Sequence, residues 1–90
     1  MSKYPLNCAV LKYFTTVESA SADNVLEALK GDYGQFRAFT KKGIKDVLMT
    51  GVVNGLLEES KVEFDKNGEL VIYYYANEES RATINKYLPR

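Results

Sequence analysis

The spacing of the apolar residues changes once along this chain, and this change constrains the fold more than any other feature. Up to Val53, apolar residues recur every three or four positions, as they do along one face of a helix. Beyond Leu56 they alternate with polar residues, which is typical of a half-buried β-strand. Asn54-Gly55 at the boundary predicts a helix end, with Gly55 in the left-handed conformation and Leu56 packed back onto the helix. We therefore expect a helical half followed by a β-hairpin.

Two helices and a short strand are predicted in the first third of the chain. The first helix begins at Pro5, which a first helical turn tolerates, and extends for about ten residues. The β-branched run at 15–17 predicts a brief extended segment. Either Ser19 or Ser21 can cap the second helix, and Gly31 is its predicted end.

The clearest element is a third helix over residues 40–54. Thr40 is a good N-cap, and Phe39 and Ile44 stand at the spacing of a hydrophobic staple. Residues 32–39 before it are predicted to form a loop, or a loop with one helical turn. The residues predicted to be buried along this helix are Ile44, Val47, Leu48, Gly51 and Val52.

The segment Asp65-Lys66-Asn67-Gly68 predicts a tight hairpin turn, for which two registers are possible. A two-residue turn would place Phe64 opposite Val71 and mix Glu63 with Leu70 and Ile72 on the other face. A three-residue loop with Gly68 as a bulge would place Phe64 opposite Leu70 and segregate the two kinds of residue. Because a shift of one residue moves every side chain to the other face, we predict the second register. Its apolar face comprises Val62, Phe64, Leu70, Ile72 and Tyr74, and its outer face comprises Glu63, Asp65, Glu69, Val71, Tyr73 and Tyr75.

A last helix follows the hairpin. Asn77 is its predicted N-cap, and the two glutamates behind it suit the positive end of a helix dipole. Its apolar side is predicted to comprise Ile84, Tyr87 and Leu88, and Pro89 to end it. The chain is thus predicted to be one α+β domain over residues 1–90, in the order helix, strand, helix, helix, strand, strand, helix.

The composition argues against several classes of function. The chain has no histidine and one cysteine, so it lacks the usual general base, the usual zinc ligand and an internal disulfide. Cys8 is predicted to be a buried apolar residue, and the glycines match no phosphate-binding loop. We therefore predict no enzymatic activity, no cofactor and no metal site. No apolar run is long enough to cross a membrane and no signal peptide is evident, which predicts a cytoplasmic protein.

The order of elements and three local motifs resemble the winged-helix family of helix-turn-helix domains. The segment Gly51-Val52-Val53-Asn54-Gly55-Leu56-Leu57-Glu58-Glu59 resembles the exit of a recognition helix into the first wing strand. The hairpin at 62–75 resembles the wing, and Asn77-Glu78-Glu79-Ser80-Arg81 resembles the start of the helix after it. The resemblance covers residues 6–88 and implies a three-helix core with a hairpin wing and a C-terminal helix. It also implies a third helix in the DNA major groove and a wing on the backbone or minor groove.

The charge distribution gives this implication partial support. Twelve basic and twelve acidic residues leave no net charge, unlike many dedicated nucleic-acid binders. The basic residues are nevertheless concentrated in the centre, and Lys41 and Lys42 open the third helix, where cations oppose the dipole. A phosphate ligand explains this placement, and a merely solvated surface is the alternative. The predicted contacts to double-stranded DNA are Arg37, Lys41, Lys42, Lys45, Thr50 and Lys66, in a small transcriptional regulator that acts as a dimer.

Other residues favour a second hypothesis. Asp46 stands in the middle of the third helix, and the wing carries Glu63, Asp65 and Glu69 beside Lys66, so both surfaces would repel phosphates in part. Apolar residues are also predicted on exposed surfaces, which often indicates a protein interface. The alternative function is thus a winged-helix protein-interaction or dimerisation module without DNA contact, unless the last helix covers this surface. Its predicted interface comprises Met49, Val53, Val71, Tyr73 and Tyr75.

Overall fold

A computed structural model describes residues 4–88 and confirms the predicted order of elements. The elements are α1 (Leu6–Tyr13), β1 (Ala20–Ser21), α2 (Ala22–Tyr33), α3 (Lys41–Val53), β2 (Glu58–Phe64), β3 (Leu70–Tyr75) and α4 (Glu78–Tyr87). The strands form an antiparallel sheet in the order β1-β3-β2. The short strand β1 therefore joins the hairpin to the helices. The predicted stop at Pro89 lies outside the described residues.

Side-chain caps begin three of the helices where the sequence predicted them. The Ser21 hydroxyl accepts the backbone N–H of Asn24, and the Asn24 side chain accepts the backbone N–H of Ser21 in return. Of the two serines predicted to cap α2, Ser21 is thus the one that does. The Thr40 hydroxyl accepts the backbone N–H of Gly43 at 3.0 Å, and Asn77 caps α4 in the same way. These bonds satisfy amide groups that a helix N-terminus otherwise leaves unpaired.

The end of α3 also follows the prediction. Gly55 has a φ of 79°, in the left-handed region. The N–H of Leu56 donates to the carbonyl of Gly51 at 2.9 Å, and that of Gly55 donates to Val52 at 3.0 Å. These two bonds form a Schellman motif, which stops the helix and directs the chain into β2.

The predicted hairpin register is confirmed. Phe64 pairs with Leu70 and Val62 with Ile72. Gly68 has a φ of 81°, as a bulge glycine in a three-residue loop requires. The apolar face of the hairpin is therefore continuous, and it carries Tyr74 into the core.

The predicted strand at 15–17 is wrong, because β1 lies at Ala20–Ser21. The hydroxyls of Thr15 and Thr16 each donate to a carbonyl three residues earlier, at 2.7 Å, and so close the turn after α1. Such local side-chain bonds compete with strand pairing. A register shift between Glu59 and Lys61 was not predicted either.

Several smaller predictions about the helices are also wrong. Pro5 precedes α1 with a ψ of 153° and does not form part of its first turn. Gly31 lies inside α2, which continues to Tyr33 because burial of that side chain outweighs the cost of about 1 kcal/mol for a helical glycine. Cys8 was predicted to be buried but is only half-buried. Tyr87 was predicted on the apolar side of α4 but is exposed.

The core lies between the helices and the inner face of the sheet. Its largest fully buried side chains are Phe14, Ile44, Leu48, Leu57, Val10 and Val25. The inner residues of α3 anchor that helix, so its opposite face is presented to solvent. Within residues 4–88 no helix has the length and apolar character needed to span a membrane.

Candidate nucleic-acid interface

The N-terminal half of α3 presents three lysines to solvent. Lys41, Lys42 and Lys45 are all exposed, and the first turn of the helix contains no acidic residue. Ile44 and Leu48 are fully buried on the opposite side of the helix. The same face that the sequence analysis predicted to contact DNA is therefore accessible.

Two of these lysines form ion pairs on the protein surface. Lys41 Nζ lies 3.2 Å from Asp23 Oδ1 on α2, and Lys42 Nζ lies 3.4 Å from Asp46 Oδ2 one turn further along α3. Exposed pairs of this kind contribute about 0–1 kcal/mol, so a phosphate can replace the carboxylate at little cost. Lys45 forms no ion pair with any residue in the range 4–88. Asp23 was not predicted, because nothing in the sequence places it beside α3.

The hydroxyl of Thr50 is only partly available for hydrogen bonds to DNA bases. Its hydroxyl donates to the carbonyl of Asp46 at 3.0 Å, so the oxygen remains available mainly as an acceptor. Thr50 and Asp46 both line a groove of about 430 Å³ between α1 and α3. Thr50 therefore faces a different side of α3 from Lys41 and Lys45, which line the cleft towards the hairpin.

The other two predicted contacts lie on loops at the surface. Arg37 is exposed in the segment before α3, and Lys66 is exposed in the loop that joins β2 and β3. Neither lines the cleft that brings Lys41, Lys45 and Met49 together. The predicted DNA contacts thus comprise three lysines in the N-terminal half of α3, Thr50 on a different side of that helix, and two residues on separate loops.

The acidic residues of the hairpin are partly engaged in local bonds. The Asp65 carboxylate accepts the backbone N–H groups of Asn67 and Glu69, at 2.8 and 2.9 Å, and shapes the turn. Glu63 Oε2 lies 3.2 Å from Lys61 Nζ. The negative charge of these groups remains, however, so α3 and not the wing is the principal basic surface.

The outer face of the hairpin is less open than predicted. Val71, Tyr73 and Tyr75 are all half-buried. Lys61 Nζ lies 4.8 Å above the Tyr73 ring, and the Tyr75 hydroxyl donates to Glu58 Oε1 at 2.9 Å. This bond and the negative charge of Glu58 raise the pKa of Tyr75. The tyrosines therefore make intramolecular contacts on this face.

The most exposed apolar residues of the hairpin lie on its other face. Phe64 is 72% exposed, Leu70 53% and Val62 51%, although Tyr74 on the same face is buried. The sequence analysis assigned these residues to the apolar face but did not show that part of it is uncovered. A seven-residue strand extends for roughly 23 Å, whereas a helix is about 10 Å wide. A single helix packed across β2 therefore leaves the end of the strand uncovered.

A cleft of about 220 Å³ separates α3 from β3, and we call it the α3–β3 cleft. Lys41, Lys45 and Met49 line it from α3, β3 contributes its inner residues and also Val71, and the start of α2 closes one end. Its complete lining comprises Ser21, Ala22, Asp23, Lys41, Lys45, Met49, Leu70, Val71, Ile72 and Tyr74. The cleft is basic at the Lys41 end and apolar towards the hairpin tip. Among residues 4–88, no cluster of cysteine and carboxylate side chains has an arrangement that would hold a metal ion.

No protein-family model matches the chain, and no curated protein sequence matches it. Among solved structures, the chain is similar to Bacillus subtilis PadR in complex with operator DNA. The TM-score is 0.73 at 16% identity, over 94% of this chain and 48% of PadR. The chain therefore spans about half the length of that protein. The likeness confirms the predicted α+β winged-helix fold.

Proposed function

We propose that this domain binds double-stranded DNA as part of a transcriptional regulator, with α3 in the major groove. The observation that carries the proposal is the exposed group of lysines at the N-terminus of α3 in a winged-helix fold. The solved PadR structure contains operator DNA, which supports the proposal by analogy of fold. The proposed contacts are Arg37, Lys41, Lys42, Lys45, Thr50 and Lys66.

The start of α3 suits a phosphate for two reasons. The first amide groups of a helix have no acceptor within the helix, and the Thr40 side chain satisfies that of Gly43. The amides of Lys41 and Lys42 can therefore donate to a phosphate oxygen, assisted by the helix dipole. The lysine side chains add positive charge at the same place.

Base recognition is expected to be limited. Lys42 and Thr50 can reach base edges from α3, but α3 carries no Arg, Asn or Gln for bidentate contacts. Phosphate contacts should thus dominate the affinity, and a single domain should bind weakly. We propose that two copies act together on adjacent half-sites, as helix-turn-helix dimers do.

The salt dependence of binding tests this proposal. We would measure the fluorescence anisotropy of a labelled random-sequence duplex between about 50 and 200 mM salt. Five cations per domain, at about 0.9 released counterions each, predict a log–log slope of −4 to −5 per bound domain. Lys45→Ala should weaken binding and reduce the magnitude of that slope by about 1.

Lys86→Ala is the matched control, because Lys86 is an exposed lysine on α4, away from the proposed interface. It should leave both affinity and slope unchanged. The proposal fails if the parent protein shows no binding at high micromolar concentration in the lowest salt. It also fails if the two alanine variants weaken binding equally.

A protein-interaction role remains the second candidate, and one observation favours it. Met49 is 63% exposed and Val53 is 77% exposed, on the same helix as the lysines. Large apolar side chains in such positions gain free energy when a partner covers them. Val71, Tyr73 and Tyr75 complete the predicted interface, although their partial burial reduces the surface that they offer.

A further inference from the structure

We infer that the α3–β3 cleft and the exposed hairpin tip bind an apolar segment of a partner protein that carries carboxylates at one end. The hairpin tip is defined as Val62, Phe64 and Leu70. The inference depends on the side chains of this surface alone and therefore does not require that the domain bind DNA.

The apolar surface extends from α3 to the edge of the hairpin. Met49 lines the cleft on one side, and Leu70 and Ile72 line it on the other. Leu70 pairs directly with Phe64 across the hairpin, so the Phe64 ring extends the same face beyond the cleft. Phe64 and Met49 are both more than half exposed.

This face is poorly suited to a nucleic acid. The one basic residue of β2, Lys61, pairs with Tyr73 in the register and lies above its ring, on the opposite face of the sheet, and Lys66 lies in the loop beyond Phe64. The inner face of the tip at 62, 64 and 70 therefore carries apolar side chains where a phosphate backbone would need cations. Apolar surface is stabilised by apolar contact, and a protein segment can provide it.

The charges of the cleft determine the chemistry of the partner. Lys41 and Lys45 both line it, and Asp23 is the one acidic lining residue within the described range 4–88. Asp23 is already paired with Lys41, whereas Lys45 has no ion-pair partner within residues 4–88. A complementary segment therefore places carboxylates near Lys45 and apolar side chains against Met49 and Phe64.

Two other occupants fit less well. The cleft volume of about 220 Å³ is below the range of about 300–1,000 Å³ typical of small-molecule sites, and the apolar surface extends outside it. A second copy of this chain, docked by the same surface, would bring two more lysines and only the Asp23 carboxylate, which is already paired with Lys41, because a two-fold interface pairs identical patches.

Because Lys41 and Lys45 are also proposed DNA contacts, the partner and DNA should exclude each other. This consequence, unlike the inference itself, depends on the proposed function. An acidic partner of this kind would release the domain from DNA.

Selection from a random peptide library displayed on phage tests the inference. The immobilised protein should enrich sequences that combine Asp or Glu with Leu, Ile or Phe. A labelled copy of the most enriched peptide would then be titrated with the protein and followed by fluorescence anisotropy. Phe64→Ser and Lys45→Glu should each weaken its binding about tenfold, as removal of a central contact does.

Tyr87→Ser and Lys86→Glu are the matched controls. Tyr87 is 73% exposed, almost the same as Phe64, and it lies at the end of α4. Both controls should bind the peptide as the parent does. Because all four side chains are exposed, their substitution should leave the fold intact, which circular dichroism would verify.

Three results would overturn the inference. They are the absence of acidic and apolar enrichment, equal weakening by the control variants, and a concentration-dependent dimer in sedimentation that Phe64→Ser abolishes. The last result would assign the surface to a second copy of the chain. Peptide binding without DNA binding would reject the proposed function and leave the inference standing, and the reverse outcome would reject the inference alone.

Discussion

Two glycines inside helices have opposite surroundings. A Cβ atom added to Gly43 would lie 2.3 Å from the carbonyl oxygen of Ala38, so the loop before α3 packs directly against the helix backbone. A Cβ added to Gly31 in α2 would meet, among residues 4–88, no atom within 4 Å outside its chain neighbours and the nearby backbone of its own helix. Gly31 was predicted to end α2, whereas Gly43 falls within the helix predicted over residues 40–54. The difference between them arises from the path of a loop, which local sequence does not determine.

The two alanine substitutions should therefore change stability in opposite directions. Gly31→Ala should raise the free energy of unfolding by about 0.5–1 kcal/mol, because alanine is the better helix former and restricts the unfolded chain. Gly43→Ala should lower it by about 1–3 kcal/mol, because backbone must move to relieve the overlap. Urea denaturation followed by circular dichroism would measure both. Stabilisation by Gly43→Ala would show that the loop is not held where the structure places it.

At the scale of elements, the sequence correctly predicted the features that depend on interactions between neighbouring residues. The caps at Ser21, Thr40 and Asn77 and the register of the hairpin each depend on a few adjacent residues, and all are confirmed. The position of β1 depends on pairing between Ala20 and Tyr74, which are distant in sequence. This explains why the predicted strand at 15–17 was wrong.

The features of the candidate site also divide into those that local sequence predicts and those that depend on tertiary contacts. The lysines of α3 are recognisable from sequence, because their position at a helix start is a local property. The α3–β3 cleft was not, because it requires the hairpin to pass beside α3 at a particular distance. Asp23 and the exposed side of Phe64 acquire their roles only through that tertiary contact.

Arg81 joins α4 to the segment between α1 and β1. Its Nε donates to the carbonyl of Ala76 at 2.8 Å, and Nη2 donates to that of Val17 at 2.6 Å. Hydrogen bonds from a charged group contribute about 1.5–3 kcal/mol, so Arg81→Met should lower the free energy of unfolding by about that amount. Thermal denaturation would show a decrease in Tm of about 4–8 °C for each kcal/mol lost.

Lys86→Met on the same helix provides the comparison, because Lys86 is exposed. It should change the free energy of unfolding by no more than about 0.5 kcal/mol. If both variants lost the same stability, the effect would belong to α4 in general and not to the guanidinium contacts.

At the scale of the whole molecule, the chain has no net charge but carries one basic surface and one apolar surface side by side. The exposed lysines of α3 give one side of the helix a positive potential, while the α3–β3 cleft adds an apolar surface beside it. Acidic residues are distributed over the hairpin and the start of α4. A partner that combines negative charge with apolar groups would thus contact both surfaces, whereas the proposed DNA contacts include none of the apolar residues of the cleft.

Stability should also decrease in alkaline solution, because three tyrosines have raised pKa values in the folded protein. Burial raises the pKa of Tyr33 and that of Tyr74, with smaller contributions from nearby acidic groups. The hydrogen bond to Glu58 raises the pKa of Tyr75. In the unfolded chain these phenols titrate near 10. Above about pH 10 the unfolded state therefore binds fewer protons than the folded state, so the free energy of unfolding falls as pH rises.

Comparison with a Tyr74→Phe/Tyr75→Phe variant isolates this effect from the titration of lysines, which both proteins share. Urea denaturation at intervals between about pH 9 and 11 should give a shallower decline for the variant than for the parent. Below about pH 9 the two curves should run parallel, because all of these phenols are then protonated in both states. Parallel curves over the entire range would mean that the two phenols titrate alike in the folded and unfolded chains. In that case the contact between Tyr75 and Glu58 would not persist in solution.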